Sequence, residues 1–175
     1  AGRMKTLGTT SDGDAWDTTQ WGYDALTGLN TSKTYADDTV VTYTHTPDGK
    51  PLRTTWARGA WRETAYSEQQ LPSTITYSDM TPTVGFDHHV FGYPLAISNV
   101  VASYAYQNDL LGTATNEVAA ISGHTFTLAR QLDERHRLAT LSMDGHIHAA
   151  YTYDAENRLS SASNAAFCVS YAYAN

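Results

Sequence analysis

The chain has 175 residues, a formal net charge of −7 and only 11 Lys and Arg residues. This length fits one domain or one segment of a larger domain, and the scattered basic residues exclude the continuous positive surface that nucleic acids require. No apolar run reaches the roughly 20 residues that span a bilayer, and the first ten residues lack the apolar stretch of a signal peptide. A single cysteine, Cys168, excludes an internal disulfide.

The string YTYDAENRLSSAS, at residues 151–163, is one copy of a repeat of about 21 residues. Aligned on the second aromatic residue of this string, the copies lie at Tyr23, His45, Tyr66, Phe86, Tyr106, Leu132, Tyr153 and Tyr173. Subtraction of these positions gives steps of 20 to 26 residues, which is typical of a repeat architecture. The string is therefore a recurring structural unit, and no single copy indicates a catalytic centre.

In chain order, residues 1–19 contain no complete copy, so we expect an irregular segment or a partial leading repeat there. Residues 20–175 are predicted to form the repeat array. In its first copies the stretch TPDG, at residues 46–49, has the composition of a type I turn, with Pro second and Gly last. The motif residues that we assign in these copies are Tyr23, Asp24, Tyr43, Gly49 and Tyr66.

The middle copies follow the same plan less closely. Their assigned motif residues are Phe86, Asp87, Tyr104 and Tyr106. The widest step follows, between Tyr106 and Leu132, and the stretch NEVAAISGH at residues 116–124 predicts a longer loop inserted into one unit.

The last copies are the most complete, and each predicts a β-hairpin. In the stretch YTY, at residues 151–153, the two aromatic side chains share one face of a strand, because side chains alternate. The following DAEN, at residues 154–157, predicts a type I turn in which Asp154 is mainly a turn former. Asp144-Gly145 predicts a two-residue hairpin turn between units. The motif residues assigned in these copies are Asp133, Arg137, Tyr151, Tyr153, Asp154, Arg158, Tyr171 and Tyr173.

Strands of about six residues joined by short turns predict an all-β fold, an antiparallel meander of repeated hairpins. Because an open twisted sheet rarely exceeds about ten strands without curling or splitting, one continuous sheet is expected to curve or spiral.

The pattern Y-x-Y-D-x-x-G-R-L at this spacing resembles the YD repeat of RHS proteins. Tyr151, Tyr153, Asp154 and Arg158 match the pattern, and Asn157 stands in place of its Gly. The copy that contains Asp133 and Arg137 matches it in part, with Leu132 and His136 where the pattern has Tyr and Gly. The resemblance covers roughly residues 20–175.

This resemblance implies a sheet that forms part of a hollow shell, as in bacterial polymorphic toxins, the BC component of toxin complexes and the teneurins. It implies a structural or encapsulating role in a secreted or cell-surface protein, with no catalytic residue in the repeats. The implied partners are the remainder of a longer RHS-like chain or an enclosed toxin segment. The Asp-Pro motifs of the family's self-cleaving region are absent from the sequence. A homo-oligomer that covers the sheet edges is a further expectation.

The main alternative is a metal-dependent hydrolase that uses histidines on the sheet or at an oligomer interface. His146 and His148 are two residues apart on a predicted strand, so both imidazoles could bind a transition metal such as zinc. His124, His136 or His45 would then complete the set. Without such a site we expect no cofactor, and the chain contains none of the common nucleophile, phosphate-loop or metalloprotease motifs.

A third interpretation is a carbohydrate-binding or adhesive module. Its candidates are the tryptophans, since an aromatic face offers apolar contact to a sugar ring. The competing interpretation, which we favour, is that Trp56 and Trp61 staple the hairpin whose turn is Arg58-Gly59.

Overall fold

A computed structural model describes residues 2–10, 13 and 16–174. Every regular element in these residues is a β-strand, and none is a helix that could span a membrane. The sixteen strands are β1 (Thr6–Thr9), β2 (Asp17–Tyr23), β3 (Asn30–Thr34), β4 (Val40–His45), β5 (Pro51–Thr55), β6 (Trp61–Tyr66), β7 (Pro72–Tyr77), β8 (Val84–His88), β9 (Pro94–Ser98), β10 (Ala102–Asn108), β11 (Ala114–Ile121), β12 (His124–Leu132), β13 (Leu138–Met143), β14 (His146–Tyr153), β15 (Leu159–Ser163) and β16 (Cys168–Ser170).

The strands belong to two compact units, Ala1–Val84 and Gly85–Asn175. In the first unit β1 to β7 pair antiparallel, each with the next strand along the chain. In the second unit β8 to β16 pair in the same way. The predicted all-β antiparallel meander of hairpins is confirmed, while its curvature and the proposed boundary between residues 19 and 20 stay predictions.

Neither unit has a conventional hydrophobic core. Val41, at 6% exposure, is the one buried residue in the part of the chain that the structure describes. Stability must therefore come from ladder hydrogen bonds and from side-chain contacts between neighbouring strands.

Most hairpins use the same five-residue turn. At residues 154–158 the Asp154 N–H donates to the Arg158 carbonyl (2.9 Å), and the Asn157 N–H donates to the Asp154 carbonyl (3.1 Å). The fourth residue of the turn is left-handed, with φ of 66° at Asn157. Gly, Asn and Asp adopt this conformation at the lowest cost, which explains the Gly of the motif. The left-handed residues of these turns are Asp38, Gly49, Gly59, Gln70, Gly92, Gly112, His136 and Asn157.

A β-bulge follows the turn inside each repeat unit, which we call the YD-type turn. Tyr153 pairs with Leu159 and Thr152 pairs with Ser161, so Ser160 is an extra residue on the returning strand. Such an insertion bends the strand and increases its local twist. The equivalent extra residues are Thr31, Leu52, Ser73, Leu95, Thr115, Ala139 and Ser160.

The turns correct the repeat alignment in the middle of the chain. The residues directly before the turns at 89–93 and 109–113 are His88 and Asn108, not Phe86 and Tyr106. Phe86 and Tyr106 therefore correspond to the first aromatic of a pair. Because aromatic residues two apart share a strand face, spacing alone does not separate these two registers.

The predicted inserted loop between Tyr106 and Leu132 is also wrong. The extra residues lengthen β11 and β12 instead, and a two-residue turn joins these strands, with φ of 50° at Ser122 and 83° at Gly123. By contrast, the hairpin turn predicted at Asp144-Gly145 is present between β13 and β14.

The register of the second unit separates two faces of different polarity. Opposed residues share a face, and one row runs from Ile97 through Tyr104 and Ala119 to Phe126. The other face is rich in hydroxyl groups; for example, the Thr152 and Ser161 hydroxyl oxygens lie 2.7 Å apart. One face of the second unit therefore carries this apolar row together with the Glu117–Arg130 ion pair, and the other face carries paired hydroxyl groups.

Candidate functional site

The motif aspartates close the YD-type turns. The Asp154 carboxylate accepts the Arg158 N–H at 2.8 Å, and the Asp133 carboxylate accepts the N–H groups of Arg135 and Arg137, each at 2.9 Å. This is the turn-forming role that the sequence assigned to Asp154.

The same carboxylates hold the motif arginines. Asp133 lies 2.6 Å from the nearer guanidinium nitrogen of Arg137, and Asp154 lies 2.7 Å from that of Arg158. Hydrogen bonds from the Arg137 side chain and backbone lower the pKa of Asp133. At Asp154 burial acts to raise the pKa, but hydrogen bonds from the Arg158 side chain and backbone outweigh it, and the net shift is downward. Both carboxylates are thereby held in their charged form.

Each held cation lies over the motif tyrosine of the following unit. The Arg137 guanidinium carbon is 4.3 Å from the centre of the Tyr153 ring, and that of Arg158 is 4.5 Å from the Tyr173 ring. In the first unit Lys50 lies 5.5 Å from the Tyr66 ring. These distances are typical of cation–π contacts.

The tyrosine hydroxyl forms a second link to the preceding unit. Tyr153 donates to the Leu138 carbonyl at 3.0 Å, just before the bulged residue Ala139. Asn108, which replaces the tyrosine in its copy, donates a side-chain N–H to the Pro94 carbonyl at 3.1 Å. The corresponding tyrosine bonds run from Tyr23 to Met4 (2.7 Å), from Tyr66 to Pro51 (2.6 Å) and from Tyr173 to Leu159 (2.8 Å).

The left-handed residue of the turn supplies a third link. The Asn157 side-chain oxygen accepts hydrogen bonds from Arg135 (2.8 Å) and Arg137 (2.9 Å) of the preceding turn. In the first unit the Gln70 side-chain oxygen accepts from the Lys50 ammonium group. We call these links the turn ladder. All three kinds join the turn at 46–50 to that at 67–71 and the turn at 133–137 to that at 154–158. Among the described residues, the turn at 109–113 is linked to that at 133–137 through His136 alone.

His136 joins the ladder and does not form a catalytic triad. Its Nε2 lies 2.9 Å from the Thr113 hydroxyl and 3.3 Å from the Asp109 carboxylate. Because both contacts use the same ring nitrogen, the carboxylate does not orient a second nitrogen against a nucleophile, as a triad requires.

The other assigned motif residues lie outside the turn ladder. Asp24 closes a longer turn by accepting the Thr27 N–H (2.7 Å), and this bond is the main reason why its pKa is lowered. Burial, followed by the charge of Glu117, raises the pKa of Tyr106. The remaining strand aromatics are Tyr43 in β4, Phe86 in β8, Tyr104 in β10 and Tyr151 in β14, with Asp87 beside Phe86 and Tyr171 just after β16.

The candidate metal ligands are not brought together. A bulge on β14 makes His148 the extra residue and breaks the simple alternation expected with His146. Met143 pairs with His146 on one side and with Leu128 of β12 on the other. His124 is four residues away from Leu128 on β12, so it is displaced from the level of His146 by about 13 Å along the strand direction. His45 belongs to the other unit. Within residues 2–10, 13 and 16–174, no group of three or more His, Cys, Asp or Glu side chains could hold a metal ion.

The predicted tryptophan staple is wrong. Trp61 pairs with Thr55 in register, so Trp56 belongs to the opposite face of the strand. The guanidinium of Arg53 lies 4.2 Å from the Trp61 ring centre instead.

The cation–π contact between successive units is the feature that sequence reasoning missed. A usable signal exists: Tyr153 follows Arg137 by 16 residues, Tyr66 follows Lys50 by the same number, and Tyr173 follows Arg158 by 15. A cation placed 15 or 16 residues before Tyr66, Tyr153 and Tyr173 therefore marks the link.

No family model matches this chain, and no curated protein matches it. Solved structures do. The crystal structure of TcdB2-TccC3-Cdc42 matches 83% of this chain and 10% of its own, with 15% identity and a TM-score of 0.58. That of TcdB2-TccC3-TEV gives the same coverage and TM-score at 14% identity. TcdB2-TccC3 matches 85% of this chain and 12% of its own, with 12% identity and a TM-score of 0.54.

The chain thus spans about a tenth of the length of the solved chains it matches. Those structures are toxin-complex shells built from RHS repeats, so the resemblance noted in the sequence is confirmed at the level of the fold.

Proposed function

We propose that this chain is a wall segment of an RHS-type shell, in a secreted or cell-surface protein. The observation that carries the proposal is the turn ladder, which repeats the same backbone geometry and the same links between units. Its side chains are engaged in holding neighbouring hairpins together. The likeness to the TcdB2-TccC3 structures supports the same structural role.

A wall needs two faces and a way to extend sideways. Each unit is one strand layer thick, with 6% exposure at Val41 as the deepest burial in the described residues. In such an array each repeat contacts only its neighbours, so stability grows with the number of repeats. The partners on this proposal are the remainder of a longer chain, or a second copy, at the sheet edges, and an enclosed polypeptide at one face.

The proposal is tested by removing one complete repeat. Deletion of residues 138–158 joins Arg137 to Leu159, and Leu159 then takes the position of Leu138 opposite Leu132. A modular wall should keep its β-type circular dichroism per residue and a single cooperative unfolding transition.

The matched control is deletion of residues 138–147, which removes β13 and its following turn and so reverses the direction of all later strands. We expect this shorter deletion to destroy cooperative unfolding. If the two deletions are equally disruptive, the modular wall is the wrong description of the chain.

A further inference from the structure

The first unit contains a hollow that the turn ladder does not use. It has a volume of about 340 Å³ and is lined by Tyr35, Val41, Trp56, Ala57 and Arg58. Val41, the one buried residue in the described parts of the chain, gives it an apolar lining. A volume of this size is near the lower end of the range for small-molecule sites.

The two aromatic residues of the hollow are held by their turns. Tyr35 and Trp56 each occupy the first position of a five-residue turn. The Trp56 N–H donates to the Ala60 carbonyl at 2.8 Å, and the Tyr35 N–H donates to the Thr39 carbonyl at 2.9 Å. Both backbones are therefore fixed before any ligand arrives, which lowers the entropy cost of binding.

The hollow carries a cation, Arg58, that makes no ion pair with the described residues. The Arg58 guanidinium lies 6.0 Å from the Trp56 ring centre, and in the described part of the chain it forms neither an ion pair nor a hydrogen bond. Hydrogen bonds from the Thr81 side chain and backbone, and more weakly the Arg58 charge, lower the pKa of Asp79, but Asp79 and Arg58 do not form an ion pair. Arg137 and Arg158, by contrast, are each held by an aspartate.

A second cation lies beside the same hollow. The Lys33 ammonium nitrogen is 4.4 Å from the Tyr35 ring centre and 5.7 Å from that of Trp21. The described residues give Lys33 no carboxylate within ion-pair distance. Two cations that make no ion pair with the described residues thus flank an apolar hollow, although the chain as a whole has a net charge of −7.

The repeat does not require this arrangement. In the second unit two of the turns that join one repeat to the next, at 99–102 and 164–167, are one residue shorter and begin at Asn99 and Asn164, which carry no aromatic ring. The aromatic pair and its cations are therefore specific to the first unit.

We propose that this hollow binds a ring-shaped organic acid with a single carboxylate. The carboxylate is complementary to the fork of donors on Arg58, with Lys33 adding attraction. The ring would lie on Val41 between Tyr35 and Trp56, because aromatic faces pack well against apolar ring surfaces. Acidic sugars and aromatic acids share this chemistry. A polyanion is disfavoured, since two cations cannot neutralise many charges.

The test is a titration of the whole chain followed by amide and indole NMR signals, with glucuronate and benzoate in separate experiments. We expect shifts at the Trp56 indole and the Arg58 amide, with a Kd on the order of 1 mM for one or both acids. Neutral methyl glucoside should bind at least about tenfold more weakly, because it lacks the charge.

Arg58→Gln should weaken binding of the acid at least about tenfold, whereas the control Arg62→Gln, which changes an exposed arginine outside the hollow, should leave it unchanged. Tyr35→Leu removes one aromatic side chain and should also weaken binding while Arg58 is kept. If neither acid shifts these signals, the proposal is overturned. Equal binding of the neutral glucoside, or full binding by a folded Arg58→Gln variant, would also overturn it. Inorganic phosphate that shifts the same signals as strongly would show that the ring is not recognised, which also overturns it.

Discussion

The turn ladder of the second unit, at residues 133–158, differs from that of the first unit, at residues 46–71, in its side chains but not in its backbone. In the second unit a carboxylate at the first position of the turn, Asp133, holds Arg137. In the first unit the carboxylate stands at the third position, where Asp48 lies 2.5 Å from Lys50. The cation nevertheless occupies the same place and contacts the next tyrosine in both.

The position of the cation therefore matters more than the source of its counter-charge. The left-handed position is equally permissive, because Gln70 and Asn157 both present a side-chain oxygen to the preceding cation. An array can thus keep its geometry while most of its consensus residues change. This explains how a chain with 12% to 15% identity to the TcdB2-TccC3 structures keeps their fold.

The largest effect is expected at the left-handed position. Asn157→Val places a β-branched residue at a φ of 66° and removes the acceptor for two arginines. We expect a loss of about 2 kcal/mol in the free energy of unfolding, measured by urea denaturation. Asn157→Gly is the control, because it keeps the backbone conformation and loses only the amide. If the Val variant is no less stable than the Gly variant, the conformational requirement is wrong.

The hydroxyl link between units should contribute less. Tyr153→Phe removes the bond to the Leu138 carbonyl, and we expect a loss of about 1 kcal/mol. Tyr66→Phe in the first unit should have a similar effect, because its hydroxyl makes the equivalent bond. Tyr104→Phe is the matched control, since its hydroxyl forms no hydrogen bond in the described structure. A loss as large in the control would show that the ladder bond has no special role.

Exchange of the cations should produce a smaller change. Lys50→Arg brings a planar guanidinium to the Tyr66 ring and should stabilise the first unit by about 0.5 kcal/mol. Arg137→Lys should destabilise the second unit by a similar amount. Thermal unfolding of both variants measures these changes. Changes of the same sign would show that arginine is not the more stabilising cation at this position of the turn.

Acid should weaken both ladders slightly. The pKa values of Asp48 and Asp133 are lowered chiefly by the side-chain hydrogen bonds of Lys50 and Arg137. A carboxyl whose folded pKa is below its unfolded value, near 3.9, stabilises the fold above that value and stops doing so as the pH falls through the folded pKa. The melting temperature should therefore decrease as the pH is lowered below about 4. This decrease should be less steep in an Asp48→Asn, Asp133→Asn double variant. Parallel pH profiles for the two proteins would count against this origin.

Much of the fold was predictable, because most hairpins carry a local sequence signal in their turn and in their strands. The turn signals of TPDG and Asp144-Gly145 have defined backbone requirements, and the strand aromatics repeat in phase with them. The predicted alignment of the repeats was wrong at Phe86 and Tyr106. The residues before the turns are His88 and Asn108 there, and neither is a second Tyr or Phe that would mark the position.

The side-chain links were much harder to foresee. They join residues 14 to 27 positions apart, such as Tyr173 with Leu159 and His136 with Asp109. Neither partner is unusual by itself, and their contact depends on the bulge and turn that set the distance between hairpins. The Arg58 hollow combines residues of two separate turns for the same reason.

The backbone hydrogen bonds of the five-residue turn join its ends and leave the residue types of its two tip positions open. The tips carry Val90-Phe91, Leu110-Leu111, Glu134-Arg135 and Ala155-Glu156, and the backbone bonds around them are the same. Leu110 is 100% exposed. Some tip residues, such as Asp48 and Arg135, also contact the ladder. At the other tips, such as Leu110-Leu111, the surface chemistry of this edge can change two residues at a time while the strands beneath keep their register.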